Sequence, residues 1–381
     1  MKNSFLLDTL NSIYKNIQKN YYSESSIGIL TGTSGMSIFI EYYNKYISES
    51  EYTKTEEIFN FCIEKINNEY SLSTYCDGIN GFLFSLIFLQ NNNFISEAGE
   101  DLFRVLDEHI KEWFIIAANN DNFDFLHGSS GCVLYFINKI SNDEKDFETL
   151  INLYIDGLKR QLKNITDYRD LKKEQTIQNR TYLGLAHGIA GLISILGKLS
   201  QITAFKEKSL YLINEYTFFL LNTINSKGNK ISLFPSWLTQ SESIKKDMSA
   251  LSWCIGDIGI GISLLNTAEN IQNSTLKVKA IEILEHSAKR ISKNDSLITS
   301  PEICHGFFGV YKIFSRAYTL TQEKTFMNAR DFWLHKGLDH IKNNSLSKNL
   351  SILNGQAGIG LALIDAYTET DHNWGECLLI S

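Results

Sequence analysis

Apolar residues fall along this chain in two alternating patterns. Short runs such as "GFLFSLIFL" and "GIGISLL" are apolar nearly all round, whereas segments between them, such as "EEIFNFCIEKINNEY" and "STLKVKAIEILEHSAKRISK", keep charge to one side. The second pattern is that of a surface helix with one buried stripe, and the first that of an element buried on every side. Periodicity alone would allow the short runs to be buried strands. The helical spacing between them, and a proline content limited to Pro235 and Pro301 in connecting regions, decide for helices throughout.

Each all-apolar run opens on the same frame, Gly-x-x-Gly. It appears as "LTGTSGMSIFI", "YCDGINGFLFSLIFL", "FLHGSSGCVLYFI", "LAHGIAGLISIL", "WCIGDIGIGISLL", "ICHGFFGVYKIF" and "ILNGQAGIGLALI". The first glycines are Gly32, Gly78, Gly128, Gly188, Gly256, Gly306 and Gly355, at intervals of 46 to 68 residues, which suit two helices and their connections. Small residues where an inner helix starts let neighbouring backbones crowd together and leave helix N–H groups free. Seven such hairpins could stack openly or close on themselves. Inner helices without a polar face, and no atypical capping repeat at either end, favour closure. The expected fold is all-α, a single α/α toroid over 1–381 built of seven helical hairpins, about fourteen helices.

Composition narrows the function classes. The 381 residues are 43% hydrophobic, ample for a large core, and carry a net charge of −7 with no basic block, which weighs against a nucleic-acid partner. The longest apolar stretches reach about ten residues, half of what a membrane span needs. The first residues lack the charged and apolar regions of a signal peptide, so a cytoplasmic protein is expected. The six cysteines are too sparse for a disulfide framework. They are buried thiols, metal ligands or nucleophiles.

The chemistry collects just ahead of the glycines. Immediately before the first glycine stand Thr31, Asp77, His127, His187, Ile255, His305 and Asn354; one place earlier stand Leu30, Cys76, Leu126, Ala186, Cys254, Cys304 and Leu353. Three of the eight histidines and three of the six cysteines thus occupy two positions of the frame, which places them at one mouth of the ring. Cys254, Cys304 and His305 come from neighbouring repeats. Two thiolates and an imidazole suit zinc with a fourth position left open; a pair of buried thiols beside a hydrogen-bonded histidine fits the spacing equally. Cys76 and Asp77 copy the pattern from nearly across the ring and are expected to line the mouth. His187, in the adjacent repeat, is a candidate acid or base, and His127 and Asp124 could orient a water or another histidine. Capping and loop roles account for the same residues. Cys62, Cys132 and Cys377 lie off the frame and read as core or surface.

The elements "GLAHGIAG", "SWCIGDIG" and "CHGFFG", in this order and with these separations, resemble the lanthionine synthetase C-like (LanC-like) family, and the resemblance runs from about Gly28 through all the repeats. It implies an α/α toroid with zinc held by Cys254, Cys304 and His305. The implied reaction is addition of a peptide cysteine to dehydroalanine or dehydrobutyrine, closing a thioether ring. His187 would protonate the resulting enolate, and Asp124 matches the family's active-site aspartate. The partners implied are a dehydrated precursor peptide, a separate dehydratase and export machinery. Two positions depart from the family: Ala250 stands where an arginine is usual and Ile255 where a tyrosine is usual. His127 is the nearest candidate for the arginine's work. The alternative function is a zinc and thiol (glutathione) or partner-binding protein with reduced or no cyclase activity. A glycosidase on the same ring would need paired carboxylates, and Asp77, Asp124 and Asp257 are too few and wrongly placed. The segment 225–249, in the longest interval, is expected to form a rim loop for peptide contact.

Overall fold

The computed structural model describes residues 2–48, 54–96, 100–139, 145–170, 180–225, 231–238 and 248–381. Seven inner helices follow the glycines: α2 (Ser34–Tyr43), α4 (Ile79–Asn91), α6 (Ser129–Lys139), α8 (Ile189–Leu199), α10 (Asp257–Asn270), α12 (Phe307–Thr321) and α14 (Gln356–Thr368). Seven outer helices alternate with them: α1 (Lys2–Asn20), α3 (Thr55–Asn67), α5 (Glu100–Asn119), α7 (Lys145–Asp170), α9 (Lys206–Leu221), α11 (Ser274–Ala288) and α13 (Lys324–Asn343). A one-turn helix at Lys293–Ser296 and short 3₁₀ turns fill the connections.

The two sequence patterns sort onto the two layers as their burial requires. Every residue of α4 from Ile79 to Leu89 is buried, as is every residue of α14 from Gln356 to Asp365. On α5 the buried residues Phe103, Leu106, Ile110, Phe114 and Ala117 fall three or four apart, one stripe facing inward. Inner helices pack against one another in chain order, and α14 returns to α2, so the ring is closed. Each inner helix packs on the outer helix that follows it. The exception is the last: α14 is covered by α1, with Asn16 Nδ2 donating to Gln356 Oε1 at 3.0 Å. The seventh hairpin is therefore made from two distant stretches of chain.

The second glycine of the frame has a steric cause. A Cβ on Gly309 would lie 1.8 Å from the carbonyl oxygen of Ile303, and one on Gly358 would lie 1.9 Å from that of Ile352. No side chain fits where the incoming loop folds back on the first helical turn.

Loops are also tied from repeat to repeat. The N–H two residues before each first glycine donates to the equivalent carbonyl of the next repeat: Leu30 to Cys76 (3.0 Å), Cys76 to Leu126 (3.0 Å), Ala186 to Cys254 (3.2 Å), Cys304 to Leu353 (3.0 Å) and Leu353 to Leu30 (2.8 Å). Among the described residues this bond is missing at two seams, between Leu126 and Ala186 and between Cys254 and Cys304.

The segment Asn373–Ile380 fills the axis. Tyr75 Oη donates to the Cys377 carbonyl (3.0 Å) and Trp253 Nε1 to that of Leu378 (2.9 Å), although these two donors come from opposite sides of the ring. Asn266 Nδ2 reaches the Ile380 carbonyl at 2.6 Å. Trp374 donates to Asp365, which also pairs with the buried Lys312 at 2.8 Å.

A second buried ion pair stands behind the loop that carries Cys254. Asp257 accepts from Arg290 Nη1 (3.0 Å) and from the backbone N–H groups of Leu233 (2.8 Å) and Phe234 (3.0 Å). Arg290 Nη2 also donates to the Ser249 carbonyl at 2.5 Å. With Asp257 fully buried, Arg290→Met leaves its carboxylate with only His286, at 4.0 Å, as a possible counter-charge and is expected to cost about 3–5 kcal/mol, read from urea unfolding. A cost under about 1 kcal/mol would show that the pair is not needed to hold these segments together.

Candidate functional site

The loops ahead of the inner helices all end in turns at one face of the ring, and the candidate residues stand on them. Asp124 and His187 meet across the seam between the third and fourth repeats. Asp124 Oδ1 accepts the N–H groups of Leu126 and His127, both at 2.8 Å, so the N–H that would have continued the repeat-to-repeat bonding is taken by a side chain. The other oxygen, Oδ2, lies 2.7 Å from His187 Nδ1. This bond holds the His187 pKa above the ordinary histidine value; burial opposes it, and the charges of Asp124 and Cys254 add to the rise. With Nδ1 committed, Nε2 is the nitrogen left for proton exchange. His187 remains exposed at the mouth.

Cys254 and Cys304 meet across the other open seam. Cys254 Sγ lies 3.6 Å from Ser252 Oγ, and the pull of Cys304, Ser252, His305 and His187 lowers the Cys254 pKa against the effect of burial. Cys254 in turn pushes Cys304 up, and burial and the charge of Cys76 push it further. Cys76 itself is buried and held up to about 12, chiefly by burial. It lies near enough to influence Cys304, closer than a place across the ring suggested.

His305 is exposed beside Cys304. Among the described residues no three His, Cys, Asp or Glu side chains converge closely enough to hold a metal, so of the expected triad only the two sulfurs are drawn together. The donor set still suits a soft divalent ion: two adjacent thiols, one already acidic, with an imidazole on the next residue. His127 Nδ1 stands 3.8 Å from Asp77 Oδ1, and its ring lies nearly parallel to that of His187 with centroids 6.3 Å apart. Ala250 and Ile255 flank Cys254 with aliphatic side chains only. Cys62, Cys132 and Cys377 are buried.

Sequence reasoning missed one wall of the site. Thr181–Tyr182 and Trp237–Leu238 pair as a two-stranded antiparallel ribbon beside His187. The Tyr182 ring lies 6.3 Å from His187 and 6.1 Å from Trp237. Arg180 stacks over Trp237 at 4.7 Å. Of the expected rim loop over 225–249, residues 226–230 and 239–247 lie outside those described. No helix among the described residues is long and apolar enough to cross a membrane.

The family model described as "Lanthionine synthetase C-like protein" matches residues 6–379. Among solved structures the ring superposes on a nisin cyclase with a TM-score of 0.72 at 19% sequence identity, covering 97% of this chain and 96% of that one. No curated protein sequence matches the chain.

Proposed function

Because the chain belongs to the lanthionine synthetase C-like family, we propose that it closes thioether rings in a dehydrated peptide by adding a cysteine thiolate to dehydroalanine or dehydrobutyrine. The observation that carries this reading is the presence, at one mouth, of two neighbouring cysteines, one of them with a lowered pKa, and a carboxylate-bound histidine. The peptide sulfur bonds to the β-carbon, and the electron pair of the carbon–carbon double bond moves onto the α-carbon and its carbonyl oxygen. A proton then arrives at the α-carbon. The thiol hydrogen ends on carbon and the peptide is isomerised without change of mass.

His187 is assigned the proton delivery from Nε2, with Asp124 holding the ring and favouring its charged form. His127 stands beside it as a contact for the peptide. We assign zinc to Cys254, Cys304 and His305. Bound there, it would supply a Lewis acid that keeps a substrate sulfur ionised at neutral pH, where a free thiol of pKa about 8.5 is mostly protonated. The dehydrated precursor would come from a separate dehydratase, and the product would pass to export machinery.

The test is to incubate the protein with a cysteine-containing dehydrated peptide and follow loss of alkylatable thiol at constant mass. A protein that binds small thiols such as glutathione but forms no ring would instead support the thiol-binding alternative, which the aliphatic Ala250 and Ile255 favour.

A pH signature follows from the Asp124 contact. The groups facing His187 are Asp124, Cys254, His127 and Tyr182. Since Asp124 is the main cause of the raised pKa, Asp124→Asn lets the imidazolium deprotonate at lower pH. Activity that needs this proton is present below the folded-state pKa and lost above it. The alkaline limb of the pH–rate profile is therefore expected to move to lower pH in Asp124→Asn, with metal content unchanged. An unmoved limb would remove His187 from proton delivery.

A further inference from the structure

We propose that Arg180 is the cation that holds the carbonyl oxygen of the dehydrated residue while charge develops on it; this inference rests on the cyclase reading above. The addition puts negative charge on that oxygen before carbon is protonated, so a hydrogen-bond donor aimed there stabilises the transition state more than the ground state. A cavity on the seam between the third and fourth repeats is lined by Asp121, Asp124, Gln161, Arg180, Tyr182 and His187. A peptide bond that entered it would meet both His187 and Arg180.

The charges around this cavity are already committed, with one exception. Asp124 is taken by two backbone N–H groups and His187. Asp121 has Arg160 Nη2 at 3.9 Å. Among the described residues no carboxylate pairs with the guanidinium of Arg180, which is exposed and stacked on Trp237 at 4.7 Å. Stacking uses the face of the guanidinium and leaves its edge N–H groups free to bind a planar acceptor. The ribbon fixes its position, because Thr181 pairs with Leu238 and Tyr182 with Trp237. Tyr182 has both Trp237 and His187 as ring neighbours, so the ribbon that presents Arg180 packs beside the histidine. By contrast, His127 already faces Asp77 at 3.8 Å and offers a weaker, titratable donor. The cation therefore reaches the site from the fourth-repeat ribbon rather than from the loop before Cys254, where Ala250 provides none.

The test uses the full-length protein with a dehydroalanine peptide bearing one cysteine. Arg180→Ala is expected to lower kcat on the order of 10–100-fold, less than a fully buried donor would because the site is open to water, with a smaller change in KM and an unchanged melting temperature. Arg180→Lys should restore part of kcat, since charge returns without the flat edge. An effect confined to KM would overturn the role in the transition state and leave simple peptide attraction. If wild type closes rings and Arg180→Ala equals it, this inference fails alone. If wild type closes no ring in any dehydrated peptide, the cyclase reading fails and takes this inference with it.

Discussion

Replacing Cys304 by alanine is expected to leave a folded ring that retains little zinc and forms no thioether. Cys304 and Cys254 are the two candidate ligands coupled electrostatically, and they stand at a seam where the repeat-to-repeat backbone bond is absent. Removing one sulfur deletes half of the soft donor set, so zinc affinity should fall by more than the roughly 10–100-fold typical of losing a supporting partner. Metal analysis after dialysis, with competition against a coloured chelator, measures this, and circular dichroism checks that the helices persist. Cys254→Ala should behave alike. Full zinc retention in both variants would refute the assignment. Zinc retained in His305→Ala but lost in the cysteine variants would instead place the third ligand elsewhere, in keeping with the exposed position of that imidazole.

His187→Asn is expected to keep its zinc and to slow ring closure on the order of 10²–10⁴-fold. The reasoning separates binding from proton delivery. His187 belongs to the Asp124 seam and its Nδ1 is engaged by a carboxylate at 2.7 Å, which makes it a charged donor rather than a metal ligand. The rate of thiol loss from a dehydrated peptide measures the first expectation, and bound zinc in the same preparation measures the second. A His187→Asn protein isolated without metal would place this histidine among the ligands.

The ring and the loops on which the candidate residues stand could be read directly from the sequence, for a physical reason. A loop folded back on a helix turn excludes any Cβ at Gly309 and its equivalents, so the frame must recur wherever the packing recurs. The same frame puts Cys254, Cys304 and His187 on equivalent loop positions, whereas Asp124 lies off those positions and is singled out by the family resemblance. What escaped reading is non-periodic. Strands of two residues, Thr181–Tyr182 and Trp237–Leu238, have no alternation to detect, and their pairing bridges the longest interval of the chain. The segment Asn373–Ile380 is buried as irregular backbone because donors from Tyr75, Trp253 and Asn266 satisfy its carbonyls, and none of those partners is visible locally. Arg290, just past the end of an outer helix, reads as a solvent charge until Asp257 is found against it.

The arrangement of the seventh hairpin sets an order of events during synthesis. Helix α1 leaves the ribosome first, yet its main partner, α14, is nearly the last helix to be made. At about 5–20 residues per second, the apolar stripe of Leu6, Leu10, Ile13 and Ile17 waits roughly 20–70 s for its cover. The carbonyls of Cys377 and Leu378, which hold Tyr75 and Trp253 beneath the mouth, arrive later still. A nascent chain can thus carry every candidate catalytic residue before the floor beneath them exists. The floor beneath the candidate residues is complete only once translation has passed α14 and the segment that follows it.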